Sequence, residues 1–404
     1  MFAKTSKKLE VQPSLIRNIP FISLSIGLLT SQIAANLTIF LLGLLIYSRT
    51  NSNAAVSGIF MAHGVPALIF GLIAGAIVDR IDRRQVLIWG GIIRALLVAS
   101  LPFLLKSPAA VYLVVFLNSM LSQFVYPAQV PMVPKIVHPS DLVTANSVFS
   151  FAFYSSMAIG FIGAGPLLRY TGETGSLVIM AVFYLISALT TAYLPKDGDM
   201  KTFVRAIKTM DLLTILTKVG DNIMTGIRYV RTTPALFESM MLLTVTQITF
   251  AILGSLGPGF ADTIMGIDVL DASLVMIGPT VAGVLVGSVW VGAVGYAYSQ
   301  QKLINVGIVS AGVVLLCISL TVYLNRFTSF SWLFADWVIV PLELFLFFIL
   351  GIANSFLDVP ANTILQHSAE ESMRGKVYGL LAASVGGIGI LHVLVGGILA
   401  DTIG

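Results

Sequence analysis

The chain has 404 residues, of which 57% are hydrophobic and only 10% charged, with a formal net charge of +4. A water-facing surface calls for roughly 25% ionisable residues, so this composition excludes a soluble globular protein of this size. A single cysteine, Cys317, excludes an intramolecular disulfide and any cysteine-based metal cluster. A helix that crosses about 30 Å of hydrocarbon needs about 20 mainly apolar residues. On that criterion the sequence predicts an all-α polytopic membrane protein with eleven spans. They lie near 19–47, 54–78, 85–105, 108–130, 142–168, 175–194, 235–260, 269–297, 301–324, 336–359 and 376–400. The apolar run after Lys4, Lys7, Lys8 and Arg17 is too long for a cleaved signal peptide, so it reads as an uncleaved first span. Spans two and eight carry the close-packing patterns Gly71-x-x-x-Gly75 and Gly283-x-x-x-Gly287.

Basic residues set the orientation. With the N-terminus in the cytoplasm, outer segments hold only Arg49, Lys106, Arg169 and Arg326, and Arg94 lies within a span. The other eighteen of the 23 lysines and arginines then fall inside, which is the positive-inside pattern of an inner-membrane protein. The positive charge is therefore a topology signal, and no nucleic-acid partner is expected. The longest polar stretch, 195–234, places Leu212, Ile215, Leu216, Val219, Ile223, Ile227 and Val230 at three- and four-residue steps. That spacing predicts an amphipathic helix, lying along the cytoplasmic membrane face or serving as a plain linker.

The flanking halves resemble each other weakly. Tyr126-Pro127-Ala128 at the end of span four matches Val359-Pro360-Ala361 at the end of span ten. Two pseudo-symmetric six-helix bundles follow as the expected architecture: 1–194, the linker 195–234, and 235–404 with five spans. A twelfth span is expected beyond Asp401-Thr402-Ile403-Gly404, where the sequence stops.

The loop after span two reads Gly75-Ala76-Ile77-Val78-Asp79-Arg80-Ile81-Asp82-Arg83-Arg84. It resembles the signature loop of the major facilitator superfamily, with Asp82 in place of the usual second glycine. Phe124-Val125-Tyr126-Pro127-Ala128, Val133-Pro134-Lys135, Leu142-Val143-Thr144-Ala145-Asn146, Gly226-Ile227-Arg228-Tyr229 and Arg374-Gly375-Lys376-Val377-Tyr378-Gly379 add to it. Together they resemble the macrolide-efflux and enterobactin-exporter branch of drug:proton antiporters. The resemblance implies a monomeric secondary transporter that exports amphipathic small molecules, of drug or siderophore type, by alternating access coupled to protons. It also implies that Gly75, Asp79, Arg80, Arg83 and Arg84 form a conformational latch, with Asp79 facing the start of span eleven. The sequence departs from the branch at three places. Of the glycine-rich motif of span five, Gly160, Gly163, Gly165 and Pro166 remain, while Leu168 and Arg169 replace glycines. The second signature loop, near Ser299-Gln300-Gln301-Lys302, lacks its acid, and Asn36 stands where relatives carry an aspartate.

Polar residues inside a membrane are costly and mark function. In this fold spans one, four, seven and ten line the cavity, which makes Gln32, Asn36, Asn118, Ser122, Gln123, Thr246, Gln247 and Asn354 substrate-path candidates. Glu343 is the proton-coupling candidate, although Trp337 and Pro341 suggest a solvated position near the interface. Arg94 reads as a structural partner of the signature loop or a helix end, and His63 and His392 read as packed side chains. No Gly-Lys-Ser/Thr phosphate loop is present, and no cofactor, metal site or enzymatic activity is expected. A lysophospholipid-moving facilitator and a non-transporting sensor or scaffold are the alternative functions.

Overall fold

The computed structural model describes residues 15, 17–78, 81–196, 212–327 and 336–403. Helices dominate the described residues, and no strand occurs among them. In chain order the long helices are α1 (Ile19–Thr50), α2 (Asn53–Val78), α3 (Arg83–Leu104), α4 (Pro108–Gln129), α5 (Leu142–Thr191) and α6 (Leu212–Thr232). They continue as α7 (Pro234–Thr263), α8 (Gly278–Val294), α9 (Gln300–Phe327), α10 (Asp336–Ser368) and α11 (Glu371–Thr402). Local chemistry sets their starts and stops. The Asn18 side chain accepts the Phe21 N–H to open α1, and Asn51, at φ 48°, ends it in the left-handed region. Ser107 caps α4, with proline at its first position.

An uninterrupted α5 of 50 residues would be about 75 Å long, far more than a bilayer's thickness. It is broken at Gly172, whose φ of 69° suits glycine and few other residues. Phe149 and Leu194 pack in one cluster with Phe21 and Leu24 at the start of α1, whereas Glu173 bonds Arg49 at its end. The chain therefore reverses at Gly172, and α5 supplies spans five and six. Among the described residues ten helices are long and apolar enough to cross a membrane, and dividing α5 yields the eleven expected passes.

Helices α1, α3, α4 and α5 pack chiefly within the first five helices and α7 to α10 within the last five, whereas α2 and α11 are each other's broadest partner. The broadest contact between the two groups is α2 on α11. The amphipathic segment forms α6, which leans on α7 and α11; residues 197–211 of the expected linker lie outside the described residues.

Gly283 and Gly287 bring α8 onto α10 at backbone distance. A Cβ at Gly283 would lie 2.0 Å from the Phe348 carbonyl oxygen, and one on the facing Gly351 would lie 2.1 Å from that of Thr280. At Gly71 the nearest atom, Gln123 Oε1, would be at an ordinary 3.6 Å, so that position is not a tight seam. Gly351→Val is expected to force α8 and α10 apart at a cost of about 1–3 kcal/mol, seen as a lower Tm in detergent. An unchanged Tm would refute the close seam.

Candidate functional site

The signature loop joins α2 to α3. Gly75 lies near the end of α2, while Asp79 and Arg80 lie outside the described residues. Asp82 is buried and accepts the Arg84 N–H at 3.0 Å, making it the N-cap of α3. The departure from glycine thus has a structural purpose. Arg83 opens α3, and Arg84 Nη2 donates to the Ala192 carbonyl at 2.6 Å, so this arginine ties α3 to the end of α5.

Arg94 is 1% exposed, deep among α1, α3, α4 and α5. Its Nε donates to Asn118 Oδ1 (3.2 Å), Nη1 to Ser31 Oγ (2.9 Å) and Nη2 to the Tyr184 hydroxyl (2.9 Å). The guanidinium carbon also lies 4.2 Å from the Tyr184 ring centroid, and the Tyr184 hydroxyl donates to Asn118 Oδ1 at 3.1 Å. This corrects the expectation of a signature-loop or helix-end partner. A guanidinium desolvated among apolar helices needs several donors satisfied at once, and side chains on three helices satisfy them. Asn118 therefore belongs to the interior of the helix group rather than to a water-filled path. Ser119, one residue on, donates to the His63 carbonyl at 2.6 Å.

The remaining path candidates divide by exposure. Gln32, Asn36, Ser122, Gln123 and Asn354 are half-buried, Gln247 is exposed and Thr246 is buried with its hydroxyl on the Leu243 carbonyl. A Cβ on Gly160 would come within 2.5 Å of the Asn36 Cβ, so Asn36 sits at a close crossing of α1 and α5. Glu343 is 0% exposed, which removes the expectation of a solvated interfacial acid. It accepts a hydrogen bond from Thr321 of α9, and its Oε2 has no partner.

At the end of the helices remote from the signature loop, the two groups are bonded together. Asp401 of α11 accepts from Ser52 Oγ (2.6 Å), Asn53 N–H (2.8 Å), Asn53 Nδ2 (3.0 Å) and Ala54 N–H (3.0 Å), so it caps α2 from the other group. Arg169 pairs with Asp268 at 3.0 Å and Asp271 at 2.6 Å. Gly165 N–H donates to Ser273 Oγ at 3.1 Å, and the Tyr47 hydroxyl donates to Asp262 at 3.3 Å.

A profile of the Major Facilitator Superfamily matches residues 24–393. The chain belongs to that superfamily. Multidrug efflux pump Tap of Mycolicibacterium fortuitum is 24% identical over 396 residues, covering 95% of this chain and 90% of that protein. Macrolide efflux protein A of Streptococcus pyogenes is 23% identical over 396 residues, covering 94% and 88%. The fold is like that of a bacterial homologue of the human lysosomal transporter Spinster, solved inward-facing and unoccupied. That match has a TM-score of 0.70 and 14% identity, over 98% of this chain and 84% of that one. This facilitator is a multipass membrane transporter, not an enzyme.

Sequence reasoning missed the clasp at the remote end and one acid, Asp358 of α10. The signals were present: Arg169 replaces a glycine, two aspartates punctuate the short loop before α8, and Asp401 ends an apolar run. Asp358 lies one helical turn after Asn354, a residue that was singled out.

Proposed function

We propose that this facilitator exports amphipathic small molecules of drug or siderophore type by alternating access, coupled to protons, as a monomer in the cytoplasmic membrane. One observation carries the reading. The two helix groups are clasped at the end remote from the signature loop by Asp401, Arg169 and Tyr47. Away from that clasp, Tyr126 of α4 and Tyr154 of α5 are 50% and 69% exposed. The placement of eighteen of the 23 basic residues supports a cytoplasmic signature-loop end, which makes the clasped end the outer one and this conformation closed outside. Gln32, Asn36, Ser122, Gln123, Gln247 and Asn354 are then the polar groups of the path, and Glu343 carries the coupling proton.

The efflux names of the two relatives agree with export. In the opposite conformation Gly75, Asp79, Arg80, Arg83 and Arg84 would latch the cytoplasmic end, with Asp79 at the positive start of α11. Asp79→Asn is expected to abolish substrate uptake into inside-out vesicles, which is export in that orientation, while membrane insertion stays normal. Wild-type efflux rates in that variant would refute the latch.

A further inference from the structure

Arg94 carries a full positive charge into the first helix group, and among the described residues no carboxylate pairs with it. A guanidinium stays protonated even when buried, so the charge is permanent. Ala34, Ala95, Val98 and Val115, each within one turn of Ser31, Arg94 or Asn118, belong to an apolar core. An unpaired charge taken out of water into such surroundings is far more costly than a neutral polar group.

The hydrogen-bond count sharpens the problem. A guanidinium has five N–H groups. Nε, Nη1 and Nη2 each spend one, on Asn118 Oδ1, Ser31 Oγ and the Tyr184 hydroxyl. The second N–H of each Nη has no acceptor among the described residues. Asn118 Oδ1 takes the Tyr184 hydroxyl as well as Nε, which fixes the amide orientation because Arg94 can only donate. The amide nitrogen, Nδ2, is buried without a partner. Ser31 Oγ accepts from Arg94, and its own hydrogen meets no acceptor among the described residues. Ser31, Arg94 and Asn118 are 3%, 1% and 5% exposed, so bulk water does not serve them. Every unmet group in the cluster is a donor, and they surround one net positive charge. A water molecule brings hydrogens that again need acceptors, and it leaves the charge uncancelled. A small anion accepts several hydrogen bonds, donates none and cancels the charge.

We propose that Ser31, Arg94 and Asn118 form a binding site for a small monovalent anion, chloride in the first place, inside the first helix group. The ion is a counter-charge that lets α1, α3, α4 and α5 pack around an arginine. Its binding depends on neither the substrate nor the direction of transport.

The test uses the purified full chain in detergent, with sodium chloride exchanged for sodium gluconate at constant ionic strength. Gluconate is too bulky for a closed site. Wild-type Tm is expected to rise by a few degrees and to saturate as chloride replaces gluconate. The NMR line of chloride should broaden with the protein present and narrow again when bromide competes. Asn118→Asp keeps the acceptor for Nε and Tyr184 and supplies the carboxylate internally. It should weaken chloride binding by more than about tenfold and hold in gluconate the Tm that wild type reaches in chloride. Arg94→Met removes the charge and should abolish the chloride response. Bromide located by anomalous scattering in wild-type crystals, within hydrogen-bond distance of Arg94, would support the site without any variant. The proposal is overturned if wild type shows neither a Tm rise nor line broadening. It is equally overturned if Asn118→Asp or Arg94→Met responds to chloride as wild type does, which would be a bulk salt effect, or if bromide binds only elsewhere.

Discussion

Asp401→Ala is expected to shift the protein toward a conformation open at the end remote from the signature loop, by on the order of tenfold in population. The carboxylate collects four hydrogen bonds at the start of α2, two of them from backbone N–H groups that a helix leaves without partners. An N-cap is worth about 0.5–2 kcal/mol, and the exposed position of Asp401 screens its charge, so about 1–1.5 kcal/mol is a fair expectation. That corresponds to roughly a tenfold change in a two-state equilibrium. Gly397, one turn earlier, magnifies the effect: a Cβ there would lie 2.3 Å from Ser57 Oγ, so α11 approaches α2 closely along this stretch. In the proposed cytoplasmic latch the roles reverse, with Asp79, the residue after α2 in sequence, meeting the start of α11. One helix pair would then carry a carboxylate clasp at each end, engaged in alternate states. Spin labels at Thr50→Cys and Thr263→Cys, in a Cys317→Ser background, read the separation of α1 and α7. Asp401→Ala should enlarge the longer-distance population, Asp401→Asn should do so by less, and Asp79→Asn should not. An identical distance distribution in Asp401→Ala and its parent would eliminate Asp401 as a gate element.

The fold was legible because lipid imposes a simple rule: each pass must be long, apolar and internally hydrogen-bonded. The composition and span pattern therefore declared the passes, and Gly172 merely turned two of them into one broken helix. The site was less legible. Arg94 and Asn118 were both noticed, but nothing in their spacing reveals that they meet on facing helices, since a helix face does not name its neighbour. Asp82 looked like an erosion of the signature loop until its capping of α3 gave it a function. Arg169 likewise stood out as a lost glycine, and its value depends on Asp268 and Asp271, about a hundred positions later. Contacts between the two helix groups are long-range in sequence, and local periodicity carries no information about them.

Glu343→Gln is expected to abolish transport driven by a pH gradient while leaving exchange of substrate down its own gradient intact. The side chain sits at the contact of α9 and α10, where Met276, Val314, Ile318, Leu346, Phe347 and Leu350 form an apolar cluster. A polar group in such a place is costly unless bonded, and here one oxygen is satisfied by Thr321 while Oε2 has no partner. A purely structural acid would gain by having both oxygens bonded, whereas the bare oxygen suits a group that must take up and release a proton. Glutamine keeps the size and the acceptor for Thr321 but cannot cycle a proton. Each coupled proton supplies about 1.4 kcal/mol per pH unit, so its loss forfeits roughly tenfold accumulation for every unit of gradient. Counterflow in proteoliposomes at equal pH separates the outcomes. Exchange retained with pH-driven accumulation lost supports proton carriage at this residue. Loss of both, with Tm lowered, would assign Glu343 to packing, and full accumulation in Glu343→Gln would place coupling elsewhere.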